Sequence, residues 1–168
     1  MSVDVLIPAS EFKQILINEV RKYSFTNTRL YRILETGKCS NFIARKIAES
    51  MLSTAYAFYP ILAELIDMAP NNQAKFILLS NLMEEEGILL RKSQGLVIKP
   101  ELRHSGLAER FFFATGGTSL PERANPQIFK QTREYLTQGK WVEAVAYTLV
   151  GHEMPSSEYC KEVVPLLK

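Results

Sequence analysis

The chain has 168 residues, 46% hydrophobic and 23% charged, which is the make-up of one globular domain with a core of its own. Twenty basic residues against eighteen acidic leave a net charge of +2, too little to point to nucleic acid or an anionic membrane as the main partner. Two cysteines, Cys39 and Cys160, give neither a disulfide framework nor a thiolate metal site. Met1 to Ser10 lacks the basic and apolar blocks of a secretory signal. The most apolar stretch, Met51 to Met68, is interrupted by Ser53, Pro60, Glu64 and Asp67, so no membrane span is expected. The expectation is a cytoplasmic protein with reduced thiols and no nucleic-acid or membrane partner.

Apolar residues recur every three or four positions nearly throughout, and no alternating strand stands out. Ser10 can cap a first helix to about Tyr23, with Phe12, Ile15, Leu16 and Val20 on one face. A short helix carrying Leu30, Tyr31 and Leu34 stops at Gly37. Ser40 starts a long helix from Asn41 to Met68, striped by Ile43, Ile47, Met51, Ala55 and Phe58 and kinked by Pro60. Asn71 or Asn72 caps the next helix, predicted to reach about Gly95. Lys99-Pro100-Glu101 opens another, ending near Gly116-Gly117. Asn125-Pro126 pairs an N-cap with a first-turn proline, and that helix stops at Gly139. A last helical stretch follows from Lys140, broken by Pro155 and Pro165. The prediction is an all-α domain, residues 1–168, of six or seven helices.

Three places put polar residues on apolar stripes. Helical neighbours are about 100° apart, so the run Glu84-Glu85-Glu86 sweeps through about 200° between Leu78, Leu79, Leu82, Leu89 and Leu90. At least one carboxylate should point inward, where it needs a partner or a metal; a solvated surface turn is the rival reading. His104 shares a stripe with Leu107, Ala108 and Phe111, as a hydrogen-bonded core histidine or as a metal ligand. Glu153 continues the face of Val142, Val145, Ala146 and Leu149, as a ligand or as a carboxylate emerging into solvent. Inward carboxylates and histidines from separate helices are how bundles hold non-haem metal pairs, and an oxygen and imidazole set suits iron or manganese. The ferritin-type Glu-x-x-His spacing is absent, because Glu86 and His104 are eighteen residues apart.

Asn81-Leu82-Met83-Glu84-Glu85-Glu86-Gly87, then His104-x-x-Leu107-x-x-Arg110-Phe111 and Ala114-x-Gly116, resembles the haem-oxygenase-like di-iron oxidases, over about residues 40 to 168. That family shares its helical fold with thiaminase-II-like proteins and pyrroloquinoline-quinone synthase. Tyr56-Ala57-Phe58-Tyr59-Pro60 resembles the family's kinked aromatic helix, and Gly151-His152-Glu153-Met154-Pro155 its carboxylate-x-proline region. The resemblance implies Glu85 as first carboxylate ligand, with Glu86 as fallback, His104 as histidine ligand and Glu153 as second, bridging carboxylate. It implies an iron cofactor, or manganese, activating dioxygen for oxidation of a small molecule.

Two departures stand against it. An insertion, Ile88 to Arg103, separates the carboxylates from the histidine. The family's remaining ligands come from a further C-terminal helix, for which the sequence to Lys168 leaves no room. His152, beside Glu153, does not face the same point. The site is then completed by a longer protein or by a partner subunit in a homo-oligomer, or the chain is a shortened relative binding one metal or none. The alternative functions are a non-catalytic binding or oligomerisation module, and a metal-free enzyme using Glu85, His104 and Glu153 as acid–base groups.

Overall fold

A computed structural model of the chain describes residues 8–22, 24–37, 39–91, 95–120 and 127–153. The architecture is all-α, with seven α-helices and one two-stranded hairpin among the described residues. No described helix is long and apolar enough to cross a membrane. The chain divides into two compact units: Met1–Lys38 with Ala146–Lys168, and Cys39–Val145.

In the first unit, α1 (Ala9–Lys22) carries Ser10 in its first turn, so Ser10 does not cap it. Ile15, expected on the buried face, is exposed, and the side chains of Phe12, Leu16 and Val20 fall outside the described residues. α2 (Arg29–Glu35) begins at Thr28, whose hydroxyl accepts from the Tyr31 amide, and ends before Gly37. Gly37 takes the left-handed φ of 66° that glycine adopts without strain. A π-helix, Ala146–Glu153, packs beside α1.

The second unit is organised by α3 (Asn41–Asp67), a 27-residue helix capped by Ser40, which accepts from the Ile43 amide. The helix runs on through Pro60, which sits on an exposed side. Its buried line is Ile47, Ala48, Leu52, Ala57, Phe58, Ile61, Leu62 and Leu65, so of the predicted stripe only Ile47 and Phe58 are fully inside. α4 (Asn72–Glu85) is capped by Asn71, whose side chain accepts from the Ala74 amide at 2.9 Å.

The predicted extension of α4 to Gly95 is overturned. The helix stops at Glu85, and Gly87 turns left-handed at φ 73°. β1 (Ile88–Arg91) and β2 (Gly95–Ile98) then pair antiparallel, Ile88 opposite Ile98 and Leu90 opposite Leu96. The physical reason is local. Two short apolar runs on either side of a polar stretch of sequence satisfy a strand as well as a helix, and Gly87 decides between them. The hairpin is tied at its base by the Lys99 amide donating to the Gly87 carbonyl at 2.8 Å. A side chain at Gly87 would put its Cβ 2.2 Å from the Lys99 carbonyl oxygen.

Pro100–Leu102 is a single 3-10 turn, and α5 (His104–Ala114) starts only after it. α6 (Lys130–Thr137) begins later than expected, after Phe129, which holds a left-handed φ of 62°. The expected cap at Asn125-Pro126, with Pro121, Pro155, Cys160 and Pro165, lies outside the described residues. α7 (Trp141–Val145) leads into the π-helix. There the predicted apolar face fails: Val142 is 67% exposed while Ala144 and Thr148 are buried. A face spaced at 3.6 residues per turn does not carry on through the wider π turns, which shift the positions from Ala146 onward.

Candidate functional site

α3 and α5 meet along two matching stripes. On α3 the positions are Leu52, Ala55, Tyr56 and Tyr59; on α5 they are Ser105, Ala108, Glu109 and Phe112, each with the spacing that shares one helix face. Ala48, Leu52, Ala108 and Phe112 are buried together, with Ala55, Tyr56 and Phe111 packed against them. Small alanines on both helices allow the close approach. Gly117, just past α5, leaves room for Phe112: a Cβ there would fall 2.3 Å from its ring.

Beyond this apolar seam the helices part around a cavity of about 220 Å³. Ala55, Tyr56, Tyr59 and Pro60 of α3, Glu85 and Glu86 at the end of α4, and Arg103, Ser105 and Glu109 at and within α5 line it. That volume is below the range of about 300–1,000 Å³ typical of ligand pockets, so it suits a small molecule.

Three polar contacts fix the walls. The Tyr56 hydroxyl donates to Glu109 Oε1 at 2.7 Å, across 53 residues of sequence. Burial pushes the Tyr56 phenol up to about 12, helped by the hydrogen bond to Glu109 and its negative charge and opposed by Arg103. Arg103 Nε lies 3.1 Å from Glu86 Oε2. His104 Nδ1 lies 2.7 Å from Glu85 Oε2.

The predicted residues therefore sort as follows. Glu85 is the inward carboxylate, its side chain 15% exposed, and Glu84 is solvated. Glu86, the fallback, also reaches the cavity. His104 does meet Glu85, although the two come from separate elements. It does so from the first turn of α5 with a side chain 57% exposed, not from the apolar stripe. The 3-10 turn at Pro100–Leu102 delays the start of α5 and leaves His104 at the helix end, where no stripe exists. Of the rest of that stripe, Ala108 is buried and Leu107 is exposed. Glu153 ends the π-helix, and its side chain, like that of His152, falls outside the described residues.

Among the described residues, no group of three or more His, Cys, Asp or Glu side chains is gathered closely enough to hold a metal ion. Glu85 and His104 are two of the three expected donors, and the short contact each makes is with the other. The described part of the set is a carboxylate–imidazole pair.

Sequence reasoning passed over Glu109, Arg103 and Ser105. Glu109 had a usable signal: it occupies the i+4 position of the stripe Ser105, Ala108, Phe112, where an apolar residue is expected. Arg103 had none, because its role depends on where the hairpin returns the chain. Comparisons with protein-family models, with curated proteins and with solved structures give no match to this chain.

Proposed function

We propose that this chain is a helical domain of the haem-oxygenase-like kind that binds a small molecule in the cavity between α3, the end of α4 and the start of α5. One observation carries the reading. The carboxylate motif, Glu85-Glu86, and the aromatic segment, Tyr56 with Tyr59 and Pro60, were singled out from distant parts of the sequence, and they line one cavity. Its walls carry groups able to handle a proton. Tyr56 presents a neutral hydroxyl already bonded to a carboxylate, and Glu85 with His104 forms a pair in which a proton has two bases to choose between. The site is equipped for binding, and for acid–base chemistry on what it binds.

Soaking crystals of the protein with a set of small polar fragments tests this. Fragment density in the cavity against Tyr56 and Glu109 is the expected result. Density confined to other surfaces would refute it.

A metal-dependent oxidase or oxygenase is the second reading, favoured by the approach of Glu85 and His104 from separate elements. Iron or manganese, when bound, would supply the dioxygen chemistry, with Glu85 and His104 as the described residues to hold it. Metal analysis after anaerobic loading decides: retention of about one equivalent, lost in Glu85→Gln, supports the reading, and no retention ends it. Self-association, the expected homo-oligomer, has its own support in the exposed Phe76 and Ile77 of α4 and Leu96 and Ile98 of β2. Size-exclusion chromatography with light scattering tests it, and a monomer at high concentration would contradict it.

A further inference from the structure

The cavity's charges do not cancel. Glu86 has Arg103 as its counter-ion, and Glu85 meets the His104 imidazole. Glu109 is different. It accepts the neutral Tyr56 hydroxyl on one oxygen, and among the described residues no basic side chain comes within ion-pair distance of it. Glu109 stands half-buried in the cavity wall, and its hydrogen-bond partner is an uncharged hydroxyl.

The carboxylates of Glu85, Glu86 and Glu109 all line the space. The Tyr56 hydroxyl has spent its hydrogen on Glu109 and can only accept from anything else. Pro60, which has no N–H, deprives the Tyr56 carbonyl of its usual intrahelical donor. The guanidinium in the wall, Arg103, is already engaged by Glu86. An anionic ligand would meet three carboxylates against one guanidinium, itself held to Glu86 through Nε, and a metal ion would find no three-donor group among the described residues. The remaining walls are Tyr56, Tyr59, Ala55 and Pro60, which suit methylene groups and a cation over a ring face, with Ser105 beside them.

We propose that the cavity selects a small organic ammonium ion, its N–H groups donating to Glu109 and to the Tyr56 oxygen and its carbon chain lying against Tyr56, Tyr59 and Pro60. This rests on the reading of the cavity as the ligand site and adds the chemical class of what enters it. Glu109 supplies the charge, and Tyr56 holds Glu109 in place and shares the ligand.

Calorimetric titration with n-butylammonium chloride, sodium butyrate and 1-butanol, three probes of one carbon skeleton, tests the class. Backbone amide shifts of Ser105 and Glu109 are followed in parallel. n-Butylammonium is expected to bind at least about tenfold more tightly than either other probe and to weaken as salt is raised. Glu109→Gln, which keeps an oxygen for Tyr56 and removes the charge, should erase that preference. Glu143→Gln, an exposed carboxylate on α7, should not. Butyrate or butanol moving the same amides as well as n-butylammonium does would overturn the cation assignment and leave the cavity reading standing. No response of those amides to any probe would overturn both. Should Glu109→Gln fail to fold, the ranking of the three probes and its salt dependence on the unaltered protein still decide the assignment.

Discussion

Polar contacts reach across from α3 to neighbouring helices at two levels, and they end differently. Towards its C-terminus Glu64 receives Arg133 Nε of α6 on both oxygens, at 3.0 and 3.2 Å, and Trp141 Nε1 of α7 donates to the Leu65 carbonyl at 2.8 Å. Charge meets charge there. The indole also satisfies a carbonyl in the last turn of α3, where the helix runs out of its own amides. Ile61, Leu62 and Leu65 close the interior, and Phe58 packs at 5.8 Å from Phe129. About two turns earlier, Tyr56 makes an equally short contact with Glu109, but a neutral group meets a charged one beside a cavity. The same kind of long-range hydrogen bond is structural where the charges cancel and site-like where they do not.

The comparison predicts that stability is concentrated in the closed half and ligand response in the open one. Leu62→Ala should cost most, about 3 kcal/mol by chemical denaturation, because Leu62 is fully buried and its cavity cannot collapse easily. Gly87→Ala, at the hairpin base beside the cavity, should cost about 2 kcal/mol from its left-handed backbone and the Lys99 carbonyl. It should also loosen the Glu86–Arg103 and Glu85–His104 pairs, read as faster amide exchange in the first turn of α5. Trp141→Phe keeps the bulk and removes the donor to Leu65, so a loss of about 1–2 kcal/mol is expected. Glu109→Gln should change stability least, by less than about 0.5 kcal/mol, since an amide oxygen still accepts from Tyr56. A large loss there would make Tyr56–Glu109 a second structural clamp and erase the distinction.

Tyr56 gives the contrast a pH signature. Its folded value, about 12, lies above the ordinary 10.0, so folding favours the neutral phenol. The stability this contributes is complete below about pH 10 and is lost as pH rises through about 12. Ultraviolet titration should show one late-ionising tyrosine that Tyr56→Phe removes. If the late step survives in that variant, the buried hydrogen bond is assigned to the wrong residue.

Much of this was legible in the sequence, for identifiable reasons. Ser40 and Asn71 act as caps, and Gly37 and Gly139 stop helices, because those residues settle the backbone locally. The meeting of Glu85 with His104 was legible as an expectation that an inward carboxylate needs a partner. The hairpin was not, because Ile88-Leu89-Leu90 and Leu96-Val97-Ile98 are too short to show a period. Nor was the His104 position, which the turn at Pro100–Leu102 sets. The Tyr56–Glu109 contact was the least legible. Its residues are unremarkable until one knows which face of α3 opposes which face of α5, and that is decided by Ala48, Leu52, Ala108 and Phe112 together.

The most direct test is a map of backbone amide shifts as the mixed set of small polar fragments is added to the intact chain. Movement centred on Ser105, Glu109 and the α3 turn at Tyr56, with the amides of Trp141 and Arg133 still, is the predicted result. Movement centred on Trp141 and Arg133, or none at Tyr56 and Glu109, would contradict it.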